Sequence, residues 1–307
     1  MPRDHHTPML DFAAPNEVTV LDGGLSTQLE SAGHDLSDAL WSARLLRDDP
    51  EAVVSAHAAF VRAGAQIVTT ASYQASFTGF AAAGIDAAET TRLLRLSIDL
   101  ARQAVDVASP EQKVAVAASV GPYGASLADG SEYRGRYGRT TGELRDWHAR
   151  RVEVLADCGA DLLAIETIPD LDEAAALVDL VRGSGRQAWL SYTIDGEATR
   201  AGQPLTEAFA VAAGVAEIVA VGVNCCAPDD VLAAIEAARE VTGLPVVVYP
   251  NSGEGWDAQA RTWVGPGRGL ADLVPSWIEA GARLVGGCCR VGPDQLAEIA
   301  AQVRRRS

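Results

Sequence analysis

The stretch ADLLAIETI, Ala160–Ile168, decides the fold. It is short, rich in Leu and Ile, and lacks strict polar alternation, so it reads as a strand buried on both faces. The segment before it, RVEVLADCGAD, has charges at helical spacing, and its glycine fits a helix C-cap. The same unit recurs along the chain. Further runs of this kind are Val18–Gly24, Ala65–Tyr73, Lys113–Gly121, Gln187–Ile194, Ala216–Cys226, Leu244–Asn251 and Ala282–Cys289. Ala- and Leu-rich helical segments lie between them, such as Asp86–Ala108 and Asp229–Gly243, and RAGAQ, VTGLP and EAGAR repeat the glycine stop. Eight βα units in 307 residues predict a (β/α)₈ TIM barrel, a single domain over 16–307, with 1–15 as a loose tail. A doubly wound open sheet is the alternative.

Composition narrows the function. A formal net charge of −16 argues against nucleic acid, because phosphates are repelled. No apolar run is long enough for a membrane span, and the N-terminal stretch lacks the apolar centre of a signal peptide, so a cytoplasmic location is expected. The His5–His6 pair reads as solvated. Oligomeric state is left open.

A barrel places its chemistry at the strand C-termini. Here the runs end in DGG, TTASYQ, SVGPYG, ETIPD, TID, VNCC, YPNSGE and GGCC. Four of the 5 cysteines form adjacent pairs on that rim, Cys225–Cys226 and Cys288–Cys289. Such clustering reads as metal or redox chemistry. Consecutive strand residues point to opposite faces, so Cys288 and Cys289 converge only if the chain turns. Gly286 and Gly287 are expected to permit that turn. With Cys225 from the sixth strand, three thiolates then form an open tetrahedral zinc site with Zn–S distances of about 2.3 Å. Buried inert thiols, a closed four-sulfur zinc that also uses Cys226, and a redox switch are the other readings open on these residues. Cys158 reads as packing.

The ordered set LDGG, TTASYQAS, SVGPYGASLADGSEYRGRYG, AIETIP, VGVNC, VYPNSGE and GGCC closely resembles the homocysteine S-methyltransferases, over roughly Val18 to Gln302. The resemblance implies a (β/α)₈ barrel whose zinc ligands fall on Cys225, Cys288 and Cys289. Cys226 departs from the pattern, where a non-thiol commonly follows the VNC cysteine. It also implies that Asp22 and Glu166 hold the amino-acid end of homocysteine, with Gly23, Gly24 and Thr70 as candidates for its carboxylate. Tyr73, Gln74, Tyr123 and Asn251 sit in matching motifs and are expected to line the pocket. On the residues alone, Asp22 also fits a helix cap and Glu166 a structural ion pair. The implied reaction carries a methyl group from a sulfonium, S-methylmethionine or S-adenosylmethionine, to homocysteine, with Zn²⁺ and no organic cofactor. Betaine as donor or selenocysteine as acceptor is the near alternative. A non-catalytic zinc- or thiol-binding protein is the alternative of another class. A cobalamin-dependent synthase fragment is disfavoured, since the sequence has no room for further cofactor domains.

Overall fold

Each of the eight apolar runs becomes a strand. The computed structural model describes residues 10–12, 17–36, 40–257 and 262–306. The barrel strands are β1 (Thr19–Val20), β2 (Ile67–Thr69), β3 (Ala115–Val120), β4 (Leu162–Ile168), β5 (Ala188–Tyr192), β6 (Ile218–Asn224), β7 (Val246–Tyr249) and β8 (Ala282–Val285). They pair in parallel in the order β1-β8-β7-β6-β5-β4-β3-β2. The ring closes between β1 and β2 through a Leu21–Ile67 bridge and the Gln66 N–H, which donates to Val20 O at 2.7 Å. The Gln66 side chain accepts the Val20 N–H at 2.8 Å, completing the ladder where the strands are shortest. The fold is the predicted (β/α)₈ barrel, and closure excludes the open sheet.

The helices begin and end where the sequence signals them. Asp86 accepts from the N–H groups of Ala88 and Glu89 and starts the helix Ala87–Ala108. Thr140 and Glu143 form a reciprocal capping box at the start of Thr141–Ala156. Gly64 and Gly243 adopt the left-handed conformation that stops a helix before β2 and β7. Two short two-stranded ribbons were not anticipated, Ile194–Asp195 with Ala198–Thr199, and Gly255–Asp257 with Thr262–Val264.

Strand alternation divides the core into two layers. Leu162 and Ala164 fill the barrel interior with Ile67, Trp189, Val247 and Leu284, while Leu163 and Ile165 face the helices. One further step along each strand carries the inward face from apolar to polar. Ala164 is followed by Glu166, Ala117 by Ser119, Ile67 by Thr69 and Val247 by Tyr249. An apolar floor thus supports a polar layer at the strand C-termini. The expected loose tail and its histidine pair lie mostly outside the described residues. Leu10–Phe12 depart from that expectation. Leu10 exchanges two hydrogen bonds with the Gln187 side chain, at 2.8 and 2.9 Å, and Phe12 joins the interior apolar cluster. Among the described residues, no helix is long and apolar enough to cross a membrane.

His57, on the helix Pro50–Ala63, is fully buried and neither ring nitrogen has a hydrogen-bond partner. Burial lowers its pKa from 6.5 to about 4. The unfolded chain therefore binds a proton that the folded chain refuses, and stability falls as pH drops from 6.5 towards 4. A shift of that size corresponds to about 3 kcal/mol. Denaturant unfolding of His57→Leu should show a stability gain over the parent that grows by up to this amount between pH 7 and pH 4. A difference that stays constant with pH contradicts the assignment.

Candidate active site

Three cysteine sulfurs meet at the barrel mouth. The Sγ atoms of Cys225, Cys288 and Cys289 all lie within 4.8 Å of one another. Cys225 Sγ is 2.7 Å from Cys288 Sγ and 3.6 Å from Cys289 Sγ. Cys225 follows β6 in the left-handed region, with φ 49°. This bend separates the adjacent thiols: Cys225 joins the cluster, while Cys226 is fully buried in the apolar layer beneath the helices. Among the described residues, Cys226 is no part of the cluster, which disfavours a closed four-sulfur site.

The second pair converges for a reason the sequence did not reveal. Gly286 and Gly287 do not take positive φ. A Cβ on Gly286 would lie 2.7 Å from Asp22 O, and one on Gly287 would lie 2.3 Å from Val291 Cγ1, so these glycines permit close packing. The turn comes afterwards. Val291 N–H donates to Cys288 O at 3.1 Å, with Arg290 at φ 66°. The loop after β7 clamps it: Cys288 N–H donates to Pro250 O at 2.8 Å, and Cys289 N–H donates to Asn251 Oδ1 at 3.2 Å.

The donor set fits a soft divalent ion. Tetrahedral thiolates at about 2.3 Å from zinc lie about 3.8 Å apart, near the wider of the two separations. Without a cation the three sulfurs compete for charge. Hydrogen bonds from Cys225 and Cys288 hold the Cys289 thiol well below its usual range. Cys288 is pushed well above it, by Cys225, Cys289 and burial. At Cys225 the bond with Cys288 lowers the pKa, but Cys289 and burial outweigh it and the thiol is also raised. The protein alone therefore favours one thiolate, and all three require a metal's positive charge.

Two carboxyls share the mouth. Asp22, just past β1, accepts from Thr69 N–H at 2.7 Å and from the Thr69 hydroxyl at 3.0 Å. Glu166 accepts from the hydroxyls of Ser119 and Tyr249, the latter at 3.0 Å. Desolvation by burial raises Asp22 to about 8 and Glu166 to about 7, against the lowering effect of these bonds. The charge of Glu166 also raises Asp22, so the two are close in space. Neither bland alternative holds. The helix Leu25–Ser31 after Asp22 has no side-chain cap, and the groups that bond Glu166 are neutral hydroxyls.

The chain matches the family described as homocysteine S-methyltransferase over residues 19–303. A homocysteine S-methyltransferase from Escherichia coli is 45% identical, over 97% of this chain and 99% of its own length. One from Bacillus subtilis is 43% identical, over 94% and 95%. The crystal structure of the homocysteine methyltransferase MmuM from Escherichia coli in its metallated form superposes with a TM-score of 0.84 at 44% identity, covering 93% of this chain and 96% of that one.

The chain belongs to the homocysteine S-methyltransferase family.

Family membership makes it an enzyme that transfers a methyl group to homocysteine. The remaining expected site residues of this homocysteine S-methyltransferase fall into two groups. Some support the site through bonds already committed. Gly24 N–H donates to Val291 O at 2.9 Å, so it is not free to hold a carboxylate. A Cβ on Gly23 would lie 2.4 Å from Val291 O, so Gly23 serves close packing against the cysteine loop. Thr70 Oγ1 accepts from Ser119 N–H at 3.0 Å and is 2.7 Å from Ser72 Oγ, whose own proton goes to Ser119 O. Thr70 therefore positions Ser119, which in turn holds Glu166. Asn251 joins the two cysteine loops, its N–H donating to Cys226 O at 3.0 Å.

The other three stand in the segments after β2 and β3. Tyr73 bonds Thr167 and feels the charges of Glu132 and Cys225. Gln74 donates to Ala125 O at 2.7 Å, leaving its Oε1 enclosed without a partner. Tyr123 lines a cavity of about 380 Å³ with Arg134, Arg136 and Tyr137. Sequence reasoning missed Thr69, Ser119 and Tyr249, which bond the carboxyls, and Asn224. Asn224 Oδ1 accepts from Thr167 N–H at 2.8 Å and from Ser191 Oγ at 2.7 Å, and its Nδ2 donates to Thr167 Oγ1 at 2.7 Å. These bonds hold Thr167 at φ 59°, a costly conformation for a β-branched residue. The resulting shift in the β4 ladder falls between Ile165 and Ile168, beside Glu166.

Proposed function

We propose that the enzyme moves a methyl group from a sulfonium donor, S-methylmethionine or S-adenosylmethionine, to homocysteine, with Zn²⁺ held by Cys225, Cys288 and Cys289. The observation that carries this reading is the three-sulfur cluster from two strand ends, beside two buried carboxyls. The relative MmuM has a metallated form, which supports a metal at this site.

When bound, zinc supplies the charge that keeps homocysteine's sulfur a thiolate at neutral pH, where a free thiol with a pKa of about 8.5 is mostly protonated. Asp22 and Glu166 hold the homocysteine ammonium. Burial raises both carboxyls, and an arriving cation favours their charged forms. Thr69, Ser119 and Tyr249 fix the orientation of both carboxyls before substrate arrives, so little reorganisation is left for the reaction. The homocysteine sulfur forms a bond to the methyl carbon as the donor's carbon–sulfur bond breaks. The electron pair of that bond stays on the departing sulfur, which leaves as a neutral thioether. Opposite charges cancel as this happens, so a water-poor mouth favours the transition state. Alignment of the two sulfurs and the methyl carbon supplies part of the about 7–11 kcal/mol open to ideal orientation.

Reduced, zinc-loaded protein supplied with homocysteine and S-methylmethionine should form methionine. Competition at equal concentration with S-adenosylmethionine and betaine ranks the donors. Failure of both sulfoniums to yield methionine rejects the reading.

A further inference from the structure

The short helix Ser131–Tyr133 brings a third carboxyl near the cysteines. Tyr133 Oη lies 3.8 Å from Cys225 Sγ. Glu132, one residue earlier, is partly buried, and its Oε2 is enclosed with no hydrogen-bond partner. Its carboxylate lies close enough for its charge to oppose negative charge on Cys225 and on the Tyr73 hydroxyl. The neighbouring charges that act on it, Cys225 and Asp129, are both negative. The backbone around it is clamped. A Cβ on Gly124 would lie 2.5 Å from Glu132 N and 2.8 Å from Tyr137 Cε1, and Gly135 N–H donates to Ser131 O at 3.0 Å. The Ser131 hydroxyl is tied to Asp129 at 2.5 Å.

Burial, with the charges of Cys225 and Asp129, raises the Glu132 carboxyl to about 7, so its ionised form costs free energy that a cationic ligand offsets. The homocysteine ammonium already has Asp22 and Glu166. The cations left over belong to the donor, its own ammonium and its sulfonium, and only the sulfonium distinguishes S-methylmethionine from methionine.

We propose that Glu132 recognises the positive charge of the methyl donor and so determines donor specificity. This inference rests on the functional reading above. The sulfonium meets the carboxylate through charge and through its polarised C–H groups. Before transfer the donor is a cation, and afterwards its sulfur is a neutral thioether, so the attraction fades as the methyl leaves. Glu132 thus favours donor binding over the chemical step, and the signature of its loss is a raised donor KM with kcat unchanged or slightly raised.

The test uses full-length, zinc-loaded protein carrying Glu132→Gln, with Glu132→Asp as the charge-retaining control. The KM for S-methylmethionine should rise about fivefold to tenfold, the scale of a charge contact made through C–H groups without an N–H or O–H donor. The KM for homocysteine and the zinc content should stay at parent values, and Glu132→Asp should recover part of the donor affinity. Calorimetry without homocysteine gives a second readout: the parent should bind S-methylmethionine more tightly than neutral methionine, and Glu132→Gln should lose that preference. An unchanged donor KM, a rise confined to homocysteine, or equal weakening for both ligands overturns the proposal. A parent that forms no methionine with any sulfonium rejects the functional reading instead, and the calorimetric preference still tests Glu132. If Glu132→Gln does not fold, the same comparison is made with Glu132→Asp, whose shortened carboxylate should weaken S-methylmethionine but not methionine.

Discussion

Cys289→Ser should abolish metal binding and reduce methionine formation by about a thousandfold or more, while Cys226→Ser keeps both within about threefold. The contrast follows from the bend at Cys225. One thiol of that pair enters the cluster and the other is fully buried in apolar packing. Loss of the metal leaves homocysteine with a thiol pKa of about 8.5, so about 3% is thiolate at pH 7. That alone costs about 30-fold. The remainder comes from lost positioning of the nucleophile. Cys288→Ser should behave like Cys289→Ser, because its sulfur is 2.7 Å from Cys225 Sγ. Metal content and turnover of the three variants, measured side by side, check the assignment. Loss of metal from Cys226→Ser contradicts it.

Asp22→Asn and Glu166→Gln should each raise the KM for homocysteine by about tenfold to a hundredfold, as expected for one charge-assisted hydrogen bond to the ammonium. Both replacements preserve shape, and thermal unfolding should confirm that the fold survives. The pH dependence carries a sign. Burial raises Glu166 to about 7 and Asp22 to about 8. Below these values the carboxyls of the free enzyme are neutral and attract an ammonium weakly. Homocysteine kcat/KM in the parent should therefore climb between pH 6 and pH 9, since this parameter reports groups of the free enzyme. Glu166→Gln should remove the lower part of the rise and leave the part near pH 8. A flat profile in the parent, or a homocysteine KM unmoved by either substitution, contradicts the assigned roles.

The barrel was legible because its signals are local. Apolar runs such as Ala160–Ile168 alternate with helices that glycine ends, and all eight became strands. The cysteines were legible because adjacent thiols on a strand rim are chemically unusual. What escaped depends on register around a closed ring. Ser119 and Tyr249 look like ordinary strand residues until the two-residue step and the barrel's closure bring both to Glu166. Asn224 is known only by its partners on β4 and β5. Glu132 lay within a quoted motif, but nothing local says that the loop after β3 folds over a cysteine more than ninety positions away. Gly286 and Gly287 suggest freedom for a turn, yet they serve close packing, because steric contact with Asp22 and Val291 is invisible without the fold. The resemblance makes Thr70 and Gly24 candidates for the substrate carboxylate, and only the fold shows that Thr70 Oγ1 accepts from Ser119 N–H and that Gly24 N–H donates to Val291 O.

The most direct test titrates fully reduced, metal-free protein with zinc. One ion per chain should bind tightly to the wild-type protein and fail to bind to Cys289→Ser. A wild-type chain that takes up no zinc, or one that binds it equally well without Cys289, contradicts the account.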